Sequence, residues 1–397
     1  MKILHVNDYY HGRGGVEQYL LSAARLLERH GCDNIILYRR DHPNTIQDSR
    51  WPAYLLEETG QPVSHTVEAI VRAERPDVAY VHHTSSPEVV QAVSSLLPTV
   101  AYVHGFQAVC PGLAKYFRRG DTVCQRPFGW GCVPMHYLRR CSAARHPATL
   151  YRLMRRTARL KRAYLSVPRI LVATDYIKSL LIQNGFDPRR ISLLPPHFFP
   201  DGASAEFEPP RNPHIVLFAG RLEIEKGLSY LLRALSQIHA PTRLVVAGDG
   251  TRRPDYEELA RNLHLFDQVH FAGWLSQADM EEAYQDCSLL AMPSICPESF
   301  GRTGIEALAH GRPVVAFDVG GISDWLRDGA NGLLVTPTDV GQLADSIQRL
   351  LFDRSLRLRM GRSGQQDVFQ RFRASAHLRA LLSALQAPIM DREDSNV

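Results

Sequence analysis

The sequence predicts an α/β protein built on two doubly wound, mainly parallel sheets. Three observations carry this. Short β-branched and aliphatic runs alternate with helix-period patterns along the whole chain. Many of the runs are apolar at nearly every position, as strands covered on both faces must be. The runs also fall into two series of about six, parted by the Pro-rich, strand-poor stretch 195–213. At 397 residues the chain is long enough to bury two cores of ordinary size.

The first series places strands at 2–7, 34–38, 78–82, 100–104, 170–174 and 191–194. The second places them at 215–219, 244–247, 269–272, 289–292, 314–317 and 332–335. Helices belong between them. The pattern 228–238 sets Leu228, Leu231, Leu232, Leu235 and Ile238 on one face. A helix is also expected over 16–29, and another over 146–164 with Pro147 early and Thr149 as a cap. The polar tail 391–397 should fray.

Charge excludes some partners and suggests others. The net charge is +5, with 22% charged residues, which rules out a disordered chain and argues against a dedicated nucleic-acid binder. It hides an asymmetry. Residues 1–200 carry 26 basic and 15 acidic residues, the remainder 20 and 26, and residues 101–200 alone 17 and 3. Such a basic stretch wants an anionic partner. Within it, 146–164 combines the stripe Leu150, Leu153, Met154 and Leu160 with Arg152, Arg155, Arg156, Arg159, Lys161 and Arg162. This helix suits an anionic membrane surface, or packs its stripe on the domain that carries it.

The apolar N-terminal run is short and interrupted by His5, Asn7 and Asp8, so a strand is expected there, not a signal peptide. No run approaches the ~20 apolar residues that span a bilayer. The expectation is a cytoplasmic protein, peripheral at most at the inner membrane face. Seven cysteines do not suggest a disulfide framework. Four of them, Cys110, Cys124, Cys132 and Cys141, share a Gly- and Pro-rich stretch expected to be an irregular loop. Their spacing lacks the close pairs of a zinc ribbon. Scattered thiols, a structural metal and a local disulfide all remain open there.

Four motifs carry chemistry, each just after an expected strand. Gly12, Gly14 and Gly15 let backbone approach a ligand, and the next helix points its N-terminus at the same place, as anion sites do. Arg221 and Lys226, in the stretch 220–227, offer a planar fork and a point charge for phosphate oxygens; the alternative is surface pairing with Glu223 or Glu225. Gly248, Asp249 and Gly250 suit a wall of the same cleft, since open α/β sheets bind ligands at the carboxyl ends of their strands. In the fourth, Glu298 and Glu306 flank Phe300, Gly301, Arg302 and Thr303. Backbone N–H groups there favour an anion, which a carboxylate would repel. The glutamates are therefore assigned to hydroxyls, Glu298 to a sugar and Glu306 to a ribose, the alternative for Glu306 being an ordinary carboxylate at a helix N-terminus.

This ordered set resembles the large retaining glycosyltransferase family four, of GT-B fold. The stretches 311–321 and 328–335 resemble that family's C-terminal half as well. The likeness covers nearly the whole chain and is densest over 215–351. It implies two facing Rossmann-like domains with a cleft between them. Residues 1–200 would bind the acceptor and 201–375 a nucleotide-diphosphate sugar. Residues 376–397 would form a C-terminal helix and tail, crossing back to the first domain. Arg221 and Lys226 would hold the diphosphate, and Gly14 and Gly15 would approach it from the other domain. His104 matches the family's histidine near the reacting sugar. Two positions depart from the pattern. Arg302 stands where an aliphatic residue is common, to contact phosphate or face solvent. Asp324 stands where a glutamate is common.

The implied activity is retaining transfer of a hexose-type sugar to a hydroxyl of a glycan or lipid-linked acceptor, in glycan, polysaccharide or glycolipid synthesis. No Asp-x-Asp motif lies near the site, so no cofactor and no divalent metal are expected. Cationic side chains would take the metal's place. The competing readings are an inactive scaffold or regulator, or an epimerase or phosphorylase, on the same fold.

Overall fold

The computed structural model describes residues 1–12, 14–57, 62–142, 146–198, 206–239 and 241–394, with side chains to residue 390. In chain order the strands are β1 (Lys2–Asn7), β2 (Asp33–Tyr38), β3 (Ala53–Leu55), β4 (Val78–His83), β5 (Thr99–Val103), β6 (Tyr116–Phe117), β7 (Thr122–Val123), β8 (Arg169–Val172), β9 (Ile191–Leu193), β10 (Ile215–Ala219), β11 (Arg243–Ala247), β12 (Val269–Gly273), β13 (Leu289–Met292), β14 (Val314–Phe317) and β15 (Gly332–Val335). The helices are α1 (Gly15–Glu28), α2 (Val63–Glu74), α3 (Pro87–Leu96), α4 (Cys132–Leu138), α5 (Pro147–Leu165), α6 (Asp175–Gln183), α7 (Leu228–Leu235), α8 (Arg253–Asn262), α9 (Gln277–Asp286), α10 (Arg302–Ala309), α11 (Val340–Phe352), α12 (Arg354–Arg371) and α13 (Ala374–Asp394).

The chain forms two compact units. The first holds Met1–Ala114, Gln125–His197 and the chain from Ala374; the second holds Lys115–Cys124 and Phe198–Arg373. The sheet of the first unit runs β3-β2-β1-β4-β5-β8-β9, with every pairing parallel. Period-two alternation sends Leu4 and Val6 to one face, where they meet Val90, Leu160 and Ala163. Ile3, Tyr80 and Tyr102 face the other way, onto Tyr19 and Leu27 of α1 and Leu378, Leu381 and Leu385 of α13. The last helix thus belongs to the core of the first unit.

In the second unit the order is β12-β11-β10-β13-β14-β15, again parallel throughout. Strand order reverses between β10 and β13, so the loops leaving these two strands diverge and open a crevice. Gly248 closes the β11 turn at φ 138°, and a Cβ there would stand 2.0 Å from the Gly220 carbonyl. Only glycine lets these two turns meet.

Several expectations change. The expected irregular loop 110–141 contains the β6–β7 hairpin and the short helix α4. The hairpin groups with the second unit, so the first domain is not the continuous stretch 1–200. The strand β3 has no counterpart among the expected strands, because three half-buried residues are too short a run to show a strand period. Thr174, expected in a strand, instead caps α6, its hydroxyl accepting from the Ile177 N–H at 3.3 Å. The cap of α5 is His146, not Thr149. The tail expected to fray from 391 is helical to Asp394, and 395–397 lie outside the described residues. None of the seven cysteines forms a disulfide. Among the described residues no group of three His, Cys, Asp or Glu side chains could hold a metal.

The stripe of α5 is spent on the core. Leu150 and Leu160 are buried and Leu153 and Met154 half-buried, while Arg152, Arg155, Arg159 and Arg162 stay exposed. Among the described residues no helix is long and apolar enough to cross a membrane.

Candidate functional site

The crevice between β10 and β13 gathers three of the expected residues. Lys226 ends a short 3-10 turn after β10, and Gly227 follows at φ 70° to start α7. A Cβ on Gly227 would fall 1.8 Å from the Pro293 carbonyl, so this turn lies directly against the loop leaving β13. That loop carries Glu298. Lys226 Nζ donates to Glu298 Oε1 at 2.5 Å, and Ser294 Oγ donates to the same oxygen at 2.6 Å.

The pair is mutually stabilised. Burial works against the charge on each partner. The opposite charge and hydrogen bond of the other outweigh it, so Lys226 is held above the ordinary lysine range and Glu298 below the ordinary carboxylate range. The positive field of Arg221 also favours the ionised carboxylate. Both groups are therefore charged at neutral pH. Arg221 is exposed and makes no ion pair among the described residues. The alternative of Lys226 pairing with Glu223 or Glu225 is not what forms: Glu223 accepts instead from Thr251, at 3.1 Å to its N–H and 3.0 Å to its hydroxyl.

Backbone contacts fix Glu298 in place. Gly321 N–H donates to the Glu298 carbonyl at 2.7 Å. Gly320, at φ 67°, lies so close that a Cβ would stand 2.3 Å from the same oxygen. The Gly320–Gly321 pair is thus a cradle for one peptide unit.

The N-terminus of α10 lies just beyond. Gly301 at φ 86° precedes the helix without a side-chain cap, which leaves the first N–H groups to a ligand or water. Trp325 anchors this end: its indole N–H donates to the Phe300 carbonyl at 2.5 Å, and its ring fills the space that a Cβ on Gly304 would take. Phe300 is buried and stacks on Phe198 at 5.9 Å. Arg302 lies along its own helix rather than reaching out to open solvent. Its guanidinium lies 4.8 Å over the Phe198 ring and pairs with Glu306 at 3.5 Å. Glu306 also accepts from the Tyr284 hydroxyl at 3.1 Å, which fixes its orientation. Thr303 turns its hydroxyl to the Met292 sulfur at 3.9 Å. Asp249 sits exposed on the β11 turn and accepts from the Gly250 N–H at 2.8 Å.

Gly14, Gly15 and His104 stand in the first unit. Gly14 precedes α1 at φ 93°, also without a side-chain cap. His104 follows β5 and stacks on Tyr102 at 4.3 Å, with Tyr19 edge-on at 5.2 Å. It belongs to a buried polar layer. His5 bonds Asn34 at 2.8 Å and His82 at 2.9 Å. Tyr19 bonds Tyr80 at 2.8 Å and His377 at 3.2 Å.

Ser294, Tyr284, Trp325 and the Gly320 cradle are not among the expected site residues. Tyr284 and Trp325 lie in helical or turn contexts that look like ordinary core. Ser294 sits in a run without polar pattern. Only the glycine pair carries a signal.

Comparison with known proteins agrees with this architecture. Residues 203–367 match the family model described as glycosyl transferases group 1, and residues 13–198 match that of glycosyltransferase family 4. The D-inositol 3-phosphate glycosyltransferase of Nocardia farcinica is 39% identical over 196 residues, which is 45% of this chain and 43% of that protein. The alpha-D-kanosaminyltransferase of Streptomyces kanamyceticus is 36% identical over 149 residues, 37% of this chain and 38% of that protein. Each match spans about two fifths of the relative's own length. The Anabaena protein Alr3699/HepE, crystallised with UDP-glucose, superposes with a TM-score of 0.72 at 20% identity over 98% of this chain and 100% of that one. At that identity the likeness is one of fold.

Proposed function

The chain belongs to the group 1 glycosyltransferases of GT-B fold, and on that premise we propose that it moves a hexose-type sugar from a nucleotide-diphosphate sugar to an acceptor hydroxyl with retention of configuration. One observation carries the reading. A charged Lys226–Glu298 pair stands at the strand reversal of the second sheet, with Arg221 in its field and an uncapped helix N-terminus following it. That combination suits a donor with a diphosphate at one end and hydroxyls at the other.

The bond from anomeric carbon to phosphate oxygen breaks, and negative charge grows on the leaving diphosphate. Arg221, Lys226 and the N–H groups at α10 stabilise that charge most where it is greatest, in the transition state. Their fixed positive charge does the work that a divalent ion does in other transferases. Glu298, freed from part of its contact with Lys226 as phosphate arrives, accepts from a sugar hydroxyl. Glu306, oriented by Tyr284, accepts from the ribose. The acceptor hydroxyl attacks from the leaving-group face and gives its proton to the departing phosphate oxygen, which preserves configuration. A glycan or a lipid-linked sugar fits the acceptor role, in polysaccharide or glycolipid synthesis. The exposed arginines of α5 would bring the enzyme to an anionic membrane face.

The test is a thermal-shift screen against UDP-glucose, UDP-galactose, UDP-N-acetylglucosamine and GDP-mannose, followed by product analysis. A bound donor raises the melting temperature by mass action. Lys226→Ala and Glu298→Ala should each lower turnover by orders of magnitude, and NMR of the product should show the donor's anomeric configuration. Unchanged transfer in both variants, or an inverted product, would overturn the assignment.

A further inference from the structure

The hairpin of residues 115–124 is encoded in the first half of the chain yet built into the second unit. Its two strands pair antiparallel, Tyr116 with Val123 and Phe117 with Thr122, and the Cys124 N–H closes the ladder on the Lys115 carbonyl at 2.7 Å. Lys115, Tyr116 and Phe117 are 2%, 4% and 8% exposed. A two-stranded hairpin is at best marginally stable alone in water, so something outside it holds it in place.

Asp121 supplies that hold. Its carboxylate accepts from the Tyr116 hydroxyl within the hairpin, and from the Tyr230 hydroxyl at 2.6 Å on α7. Asp121 adopts φ 44° and Lys115 φ 50°. These are conformations non-glycine residues keep only where their surroundings impose them. Tyr230 stands in the first turn of α7, right after Lys226 and Gly227. Burial, then the hydrogen bond and charge of Asp121, push the Tyr116 phenol up, with smaller contributions from Tyr230 and Cys296. Cys296 in turn lies within the fields of Glu298, Lys226 and Arg221. Tyr116 therefore lies near Cys296, on the loop that carries Glu298.

We propose that residues 115–124 form a wall of the nucleotide-sugar site, and that Asp121 is the positioning residue that clamps this wall to α7 through Tyr230. The wall keeps water from the activated donor and narrows the choice of sugar. This rests on the donor site proposed above.

The test uses the full chain with Asp121→Asn, Tyr230→Phe and Asp121→Glu. Arg118 and Arg119 lie exposed at the hairpin tip and provide a trypsin site that needs no donor. Cleavage there requires local opening. Asp121→Asn and Tyr230→Phe should each speed it about ten-fold relative to the parent, with Asp121→Glu closer to the parent. With the donor from the four-sugar panel that shifts the parent protein most, both variants should raise KM for donor more than they lower kcat. Both should also raise the share of donor lost to hydrolysis. A purely structural role would lower stability without changing the hydrolysis share. Parent-like cleavage, or a parent-like KM and hydrolysis share, overturns the clamp alone. Failure of the parent protein to bind any panel member overturns the donor site and the wall together.

Discussion

Glu298 illustrates how single residues here depend on the backbone around them. Its carbonyl is held by the Gly321 N–H, and Gly320 leaves no room for a Cβ. Gly320→Ala should therefore displace Glu298 and lower kcat by at least about ten-fold, since a shift of about an ångström in a site costs that much or more. Steady-state rates check it, and an unchanged kcat would show that the cradle is dispensable. The buried histidines give a second residue-level outcome. Burial lowers His5 to about 4 and His377 to about 3, and holds His82 well below its ordinary value. The unfolded chain takes up these protons near pH 6.5, while the folded chain refuses them until nearer pH 4 or 3. Stability is therefore full above about pH 6.5 and falls as pH drops towards 4, by about 1.4 kcal/mol per pH unit for each histidine. Denaturant midpoints at pH 7.5 and 5.5 measure this; equal midpoints would mean the histidines are hydrated or already protonated. Lys226 and Glu298 are legible in the sequence as charged groups beside glycines at strand ends. Their bond to each other is not, because 72 residues separate them and only the β10–β13 adjacency brings the loops together.

At the scale of elements, helices are legible wherever the apolar face has a 3.6-residue period. α7 and α5 fall within two or three residues of the expected bounds. What each face packs on is not legible. The stripe of α5 reads equally well as a membrane face, and the structure gives it to the core. The hairpin β6–β7 is invisible in the sequence because two-residue strands among glycines and arginines carry no pattern. α13 shows how much one element carries. Leu381 and Leu385 are wholly buried against the first sheet. Leu381→Ala should cost about 2–5 kcal/mol through the lost burial and the cavity left behind. A denaturant melt measures the loss, and a change below about 0.5 kcal/mol would mean the helix is not part of that core.

At the scale of the whole molecule, charge is divided by sequence and sorted by structure. The 17 basic residues of 101–200 include the exposed arginines of α5, with Arg159 engaged by Glu88 at 2.6 Å. Since Leu150 and Leu160 are buried in the core, attraction of this helix to a membrane should come mainly from its charge. Flotation with anionic vesicles should therefore show binding that disappears at roughly 0.5 M salt, where screening is nearly complete beyond a few ångströms. Binding to neutral vesicles, or binding that survives the salt, would point to an inserted apolar surface instead. The amino-acid sequence by itself determined the α/β class, the two series of parallel strands and the glycine and charged residues at their ends. Those features are local, written in the period of apolar residues and the needs of turns. Tertiary structure alone decided that Lys226 meets Glu298, that α13 completes the first core and that residues 115–124 serve the second. Each of these is a contact between distant segments or a choice among neighbours, set by strand order and by which face finds room, and no local pattern encodes it.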